Sequence, residues 1–319
     1  MDWNRIITSY NRNYKRLVVQ WLNKVSCCLS SSVMVKILVL LNRQLIVSTA
    51  RYIYLLIIIG IGFLSLAAVS ISKTQNIEYE SRNYTSGETL NYRLHYGFID
   101  AGFASVTIDP KLTFVDDRPC YNVAVFGKTV GTADLMFKVR DTWRSYMDTA
   151  SQAPLKSFRN IHEGKYKLKE EVLYDYKMNI AKVYRKHPDR VGEEFEYKVP
   201  SNVQDIVSGF YQTRRINFAK LKLGDTITIK AFFDKENINF KVRYLGKGVV
   251  NTDAGKFRAL KLIPVMPKNK LFDGEESIKL WISDDKNKIL LLAQVEFFVG
   301  SVKLELTSYK GLLNEISVN

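Results

Sequence analysis

From residue 80 onward, apolar and polar side chains alternate almost one for one along the chain. In "LNYRLHYGFIDAGFASVTI", residues 90–108, Leu90, Tyr92, Leu94 and Tyr96 fall on one side, with Asn91, Arg93 and His95 on the other. A period of two marks a half-buried strand, because successive Cβ atoms point to opposite faces of a pleated sheet. The same pattern predicts strands at 89–98, 103–108, 120–126, 135–147, 155–162, 166–174, 181–186 and 195–199. It resumes at 226–233, 239–244, 257–264, 277–283, 289–298 and 301–308. Turn chemistry such as "DDRP", "HPDR", "DKEN", "TDAGK" and "SDDKNK" separates the runs, and such short loops imply antiparallel neighbours. In the first hairpin, Asp100 to Gly102 read as the turn, with Gly102 at positive φ and Gly97 leaving room for a close neighbour.

The helical period shows once in this body, in "SNVQDIVSGFYQTRRINFAKLKLG". Val203, Ile206, Val207 and Phe210 recur at helical spacing, Ser201 or Asn202 can cap, and the predicted helix covers about 201–220. It is expected to plug or flank the sheet. The strand runs on either side look related: "GETLNYRL" from Gly87 and "GDTITIKA" from Gly224 each lead into a hairpin and then further strands. The expected fold is therefore all-β, an antiparallel meander forming a barrel or clam from two similar halves, about 87–200 and 224–312.

A different pattern occupies the start. Residues 52–72, "YIYLLIIIGIGFLSLAAVSIS", carry no charge and are long enough to cross a bilayer as a helix. They read as a signal-peptide core or a retained membrane anchor, with a linker at 73–86, the exported β domain at 87–312 and a tail at 313–319. Ala67, Ala68 and Ser70 offer a weak cleavage site; a start at Met34 instead of Met1 would shorten the leader.

That segment changes the meaning of the charge. The formal +15 suggests nucleic acid until it is located, for residues 1–51 hold eight Lys and Arg against Asp2 alone. A basic flank beside an apolar span is a cytoplasmic retention signal, so nucleic acid is not an expected partner and the body is expected in the periplasm. Cys27 and Cys28 precede the span, leaving Cys120 alone in the exported part, with no disulfide and no metal-ligand spacing.

Several stretches carry a family likeness: "GETLNYRLHYGFIDAGFASV", "VRDTWRSYMD" with "PLKSFRNIHEG", "VQDIVSGFYQTR", and "LWISDDKNKILLLAQVEFFVGSVKLEL". Together they resemble the exported bacterial domain of unknown function 3108, over about residues 76–312. The resemblance implies an export signal and an all-β body, and it supplies no catalytic residues. One departure is Ile289, where such proteins often have proline after the acidic turn.

Candidate chemistry is sparse. His95, His162 and His187 show no ligand spacing, no G-x-S-x-G or phosphate-binding glycine motif occurs, and neither catalytic residues, metal nor cofactor is expected. Asp141 stands out because alternation puts it on the Trp143 face of a long strand, away from Arg140 and Arg144. It is either an inward polar group bonded to the sheet or part of a ligand site, and the structural role is favoured. Asp141, Trp143 and Tyr96 are the candidate ligand contacts. The expected role is non-enzymatic binding of an amphiphilic or polysaccharide-like envelope molecule, a lipid or glycan, with the membrane met through residues 52–72. One competing reading is a glycan hydrolase pairing Asp141 with Glu171 or Glu194, whose carboxyls would have to converge to about 5–9.5 Å. Another is a structural partner in envelope assembly. The oligomeric state stays open.

Overall fold

The computed structural model describes residues 77–265, 277–297 and 300–319. The basic leader, the apolar segment 52–72 and both leader cysteines lie outside these residues. No helix among the described residues is long and apolar enough to cross a membrane.

Among the described residues, fifteen strands form one antiparallel sheet. In chain order they are β1 (Thr89–Tyr96), β2 (Ile99–Ile108), β3 (Thr113–Val115), β4 (Arg118–Thr129), β5 (Arg140–Asp148), β6 (Pro154–Glu163), β7 (Tyr166–Asp175), β8 (Ile180–Lys186) and β9 (Glu193–Lys198). The second run is β10 (Thr226–Phe233), β11 (Glu236–Thr252), β12 (Gly255–Pro264), β13 (Ile278–Ser283), β14 (Leu290–Phe297) and β15 (Gly300–Lys310). Each run is a meander, and β15 pairs with β1, so the last strand joins the two runs into one sheet. β9 and β10 are the two ends of that path. Gln204 bridges part of the gap, giving its N–H to Lys230 O and accepting from Phe232 N on β10. Asn237 Nδ2 donates across the same gap to Lys198 O at the end of β9. The body is a barrel-like, all-β fold.

The two halves open on one device. Gly87 and Gly224 have φ of 85° and 87°, values that favour glycine because a Cβ would meet the backbone. Each gives its N–H to a residue of the partner strand, Ile108 O or Tyr244 O, and the next carbonyl, of Glu88 or Asp225, accepts from that same residue. The likeness between "GETLNYRL" and "GDTITIKA" is thus geometrical as well as compositional.

Three local expectations need correction. The helix is shorter: α2 covers Ile206–Arg214 and is capped by Asp205, whose carboxylate accepts from Ser208 N while Ser208 Oγ accepts from Asp205 N. Val203 N bonds Pro200 O and Gln204 is drawn off into the β10 bridge, so the helix starts only after Asp205 and neither Ser201 nor Asn202 caps it. Eight of its nine residues are buried, so this helix is a plug with no solvent face. The strand predicted from 135 starts at Arg140, because Gly131–Met136 forms a short helix, α1. In the first hairpin the glycine roles are reversed. Gly97 makes the turn at φ 56° with open space beside it, whereas Gly102 lies inside β2, where a Cβ would sit 2.6 Å from Lys128 O.

Residues 83 and 84, within the stretch read as a linker, are buried. The C-terminal stretch docks too, with Asn319 N on Lys256 O and Ser317 Oγ on Arg258 O.

Candidate functional site

Strand β5 turns Asp141, Trp143, Ser145 and Met147 to the interior and Arg140, Thr142, Arg144 and Tyr146 outward, as its alternation requires. Asp141 Oδ1 accepts from His162 N at 2.8 Å, and no protein group bonds its buried Oδ2. Burial, with the charge of Glu163 added, pushes this carboxyl up to about 8, against the His162 bond and the field of Arg159. At neutral pH Asp141 is therefore mostly protonated, suited to donating a hydrogen bond and unsuited to acting as a carboxylate nucleophile.

Trp143, two residues along, packs 5.7 Å from Phe233. The Arg159 guanidinium lies 5.4 Å from the Trp143 ring centre and 4.9 Å from that of Phe233. Arg159 Nη2 donates to Glu170 at 3.0 Å and to Asp234 at 2.9 Å; Arg185 donates to the same two acids, both at 2.6 Å. Burial opposes ionisation of Asp234, yet Arg159 and Arg185 outweigh it and hold the carboxyl below its usual range. This knot ties the β10–β11 turn onto β6, β7 and β8. Arg159, Glu170 and Arg185 were not singled out from sequence, although each sits at inward parity in its strand, which is the signal that could have found them. The cavity beside them measures about 30 Å³, room for a water molecule or two and not for an organic ligand.

A second buried knot joins residues far apart in sequence. Arg214 of α2 reaches both Glu88 oxygens, at 2.6 and 2.8 Å, and gives its Nε–H to Asn287 O at 2.8 Å. Tyr211 Oη donates to Glu88 at 3.0 Å, and the guanidinium lies 4.8 Å from the Tyr211 ring centre and 5.7 Å from that of Tyr84. Arg214 and Glu88 are completely buried. The arrangement clamps the start of β1, the helix and the β13–β14 turn together. It is closed to solvent, so its role is architectural.

The third site is open. The register places Glu171, Tyr184 and Glu194 in one row across β7, β8 and β9, and Leu173, Lys182 and Glu196 in the next. These side chains line a solvent-facing groove of about 400 Å³, within the usual range for small-ligand sites. Tyr184 is exposed, and its ring lies where a Cβ on Gly192 would be; any larger residue at 192 would displace the ring. Lys156 Nζ lies 2.8 Å from Glu171, and Lys182 Nζ lies 3.6 Å from Glu196.

The candidate residues are thus dispersed. Asp141 and Trp143 share the inner face of β5, and Trp143 alone of the three lines the small cavity. Tyr96 ends β1 beside the hairpin turn, exposed. Glu171 and Glu194 are on the outer face, so neither converges with Asp141, and the pairing of the competing hydrolase reading is not assembled. His95 bonds Glu305 and Gly97 O. Among the described residues no three His, Cys, Asp or Glu side chains gather as a metal site. Burial raises the Cys120 thiol to about 11, which suits a small core residue and not a nucleophile.

The family described as protein of unknown function (DUF3108) matches residues 91–307. This chain belongs to that family. The DUF3108 match takes in β5, the α2 helix with Arg214 and the open groove. At Ile289, the departure noted above, the backbone N–H donates to Ser283 Oγ at 3.0 Å, a bond that proline could not make. No curated protein matches the chain. Among solved structures, a beta-barrel-like protein of DUF1849 from Brucella abortus aligns with TM-score 0.46 and 10% identity, over 73% of this chain and 100% of that one. A protein from Bacteroides fragilis, described as exported and YmcC-like in fold, gives 0.29 and 8%, over 73% and 98%. One from Parabacteroides distasonis, described as a lipoprotein, gives 0.28 and 12%, over 73% and 99%.

Proposed function

We propose that this DUF3108 protein works in the bacterial cell envelope as a non-enzymatic binder of a neutral glycan strand, held in the outer groove across β7–β9. The observation that carries the reading is Tyr184, exposed and held over Gly192, with Glu171 and Glu194 on either side of it. A sugar ring stacks its C–H face on an exposed aromatic, and flanking carboxylates accept its hydroxyl protons. The basic flank and apolar stretch at 52–72 support export to the periplasm. A lipid held inside the barrel finds no support, because the interior cavity at Trp143 is only about 30 Å³.

The test is calorimetric titration of the purified chain with neutral oligosaccharides of increasing length. Saturable binding that Tyr184→Ala weakens about tenfold is expected, from an aromatic contact of roughly 1 to 1.5 kcal/mol. The absence of saturable binding, or a Tyr184→Ala variant that binds as well as the parent, would sink the reading. Glu171 and Glu194 share the groove, and this favours hydrolysis as a second reading. Release of shorter sugars, lost in Glu194→Gln, would establish it in place of simple binding.

A further inference from the structure

Alternate connections of an antiparallel meander lie at the same end of the sheet. The β1–β2 turn, α1 and the β6–β7 turn therefore share one end, and short contacts join them. Val130 N, just before α1, donates to Ala101 O at 3.0 Å, and Gly164 N donates to Lys138 O at 2.7 Å. This end carries large apolar side chains that no described residue covers: Phe98 and Ile99 at the turn, Leu135 and Met136 on α1. None of the α1 residues is buried, so the helix has no apolar face turned to the core.

Basic residues run among these apolar ones. The register sets Arg93, Phe103, Lys128 and Arg140 side by side in one row on the outer face. Arg93 pairs with Asp253 and Arg140 with Asp134. Lys138 just after α1, Lys165 in the β6–β7 turn and Lys167 at the start of β7 are all exposed. Their crowding is felt at His162, which burial and then the charges of Lys167, Lys138 and Arg140 hold below its usual pKa.

We propose that this end docks onto a membrane surface containing anionic lipid, with Phe98, Ile99, Leu135 and Met136 entering the headgroup layer and the three lysines meeting lipid phosphates. Apolar side chains bordered by lysine are the recognised chemistry of an interfacial contact. The charge of the rim singles out an anionic bilayer from other covers for an apolar end. This contact is separate from the glycan groove.

The test uses the full chain reconstituted into vesicles of neutral lipid alone or with one third anionic lipid, so that the apolar segment is satisfied in both. Hydrogen exchange at residues 131–138 and 97–103 is then compared. Slower exchange in the anionic vesicles only is expected, by about fivefold or more. Each lysine contributes about fivefold at an anionic surface, so Lys138→Glu, Lys165→Glu and Lys167→Glu combined should return exchange to the neutral-vesicle rate. Phe98→Ser with Leu135→Ser should do the same, and unchanged exchange in β4 and β5 will show that the variants are folded. Equal exchange in both vesicle types, or protection that survives the triple substitution, would overturn the proposal. So would protection that follows protein density instead of lipid charge, which would identify a contact between copies.

Discussion

Replacing Arg214 by methionine isolates the energetics of the closed knot. The guanidinium makes both of its bonds to Glu88 at 2.8 Å or less, and neither residue touches solvent. In Arg214→Met the stem is kept in volume, but Glu88 is left as a buried carboxylate whose remaining side-chain donor is Tyr211 Oη. Removing one partner of a buried ion pair typically costs about 3–5 kcal/mol, because the other charge stays desolvated. For a body of this size each kcal/mol shifts Tm by roughly 2–4 °C, so a fall of about 6–20 °C is expected. The double variant Glu88→Leu with Arg214→Met removes both charges and should recover most of that loss, since a buried pair is often replaceable by apolar groups. Thermal melts with a urea series on all four members of the cycle give the coupling energy. An Arg214→Met loss below about 1 kcal/mol, or a double variant whose loss equals the sum of the singles, would refute the reasoning.

Asp141 supplies a pH test. Its folded pKa lies above its unfolded value, so the folded state holds the extra proton and stability is greatest below about pH 4, falling as pH rises towards about 8. Asp141→Asn should flatten that limb and raise stability at pH 8, by on the order of a few kcal/mol at most; a variant melting lower at pH 8 than the parent would contradict it. Gly102→Ala forces a Cβ against Lys128 O and should cost roughly 2–3 kcal/mol, whereas Gly97→Ala meets only open space and a left-handed φ, about 1 kcal/mol; urea midpoints of the two distinguish these roles. Asp205→Ala removes the α2 cap and the 2.6 Å acceptor of Ser145 Oγ, an expected loss of about 1–2 kcal/mol that Asp205→Asn should largely avoid. Gly192→Val should displace the Tyr184 ring and weaken glycan binding with little change in Tm, which titration and melting read together.

Alternation alone located the strands of this body apart from the short β3 and the second half of β11, because burial on one face of a sheet is a local constraint that each pair of residues restates. The inward parity of Asp141 and the related openings at Gly87 and Gly224 were legible for the same reason. Glycine was ambiguous: Gly97 and Gly102 both fit a hairpin, and only the approach of Lys128 from β4 separates the turn residue from the packing residue. The helix start misled because Val203 fits helical spacing with Ile206, Val207 and Phe210, while the open edge of β10 took the backbone of Gln204 next to it. The two buried charge knots unite residues such as Glu88 with Arg214, and Arg159 with Asp234, whose meeting depends on how the sheet curls and which strand closes it. No local pattern encodes that distance. The groove likewise needs three strands in register before Glu171, Tyr184 and Glu194 become neighbours. The sequence by itself determined the strand pattern, the inward faces and the family; the curl of the sheet decided which charges are paired in the interior and which polar groups face solvent as a site.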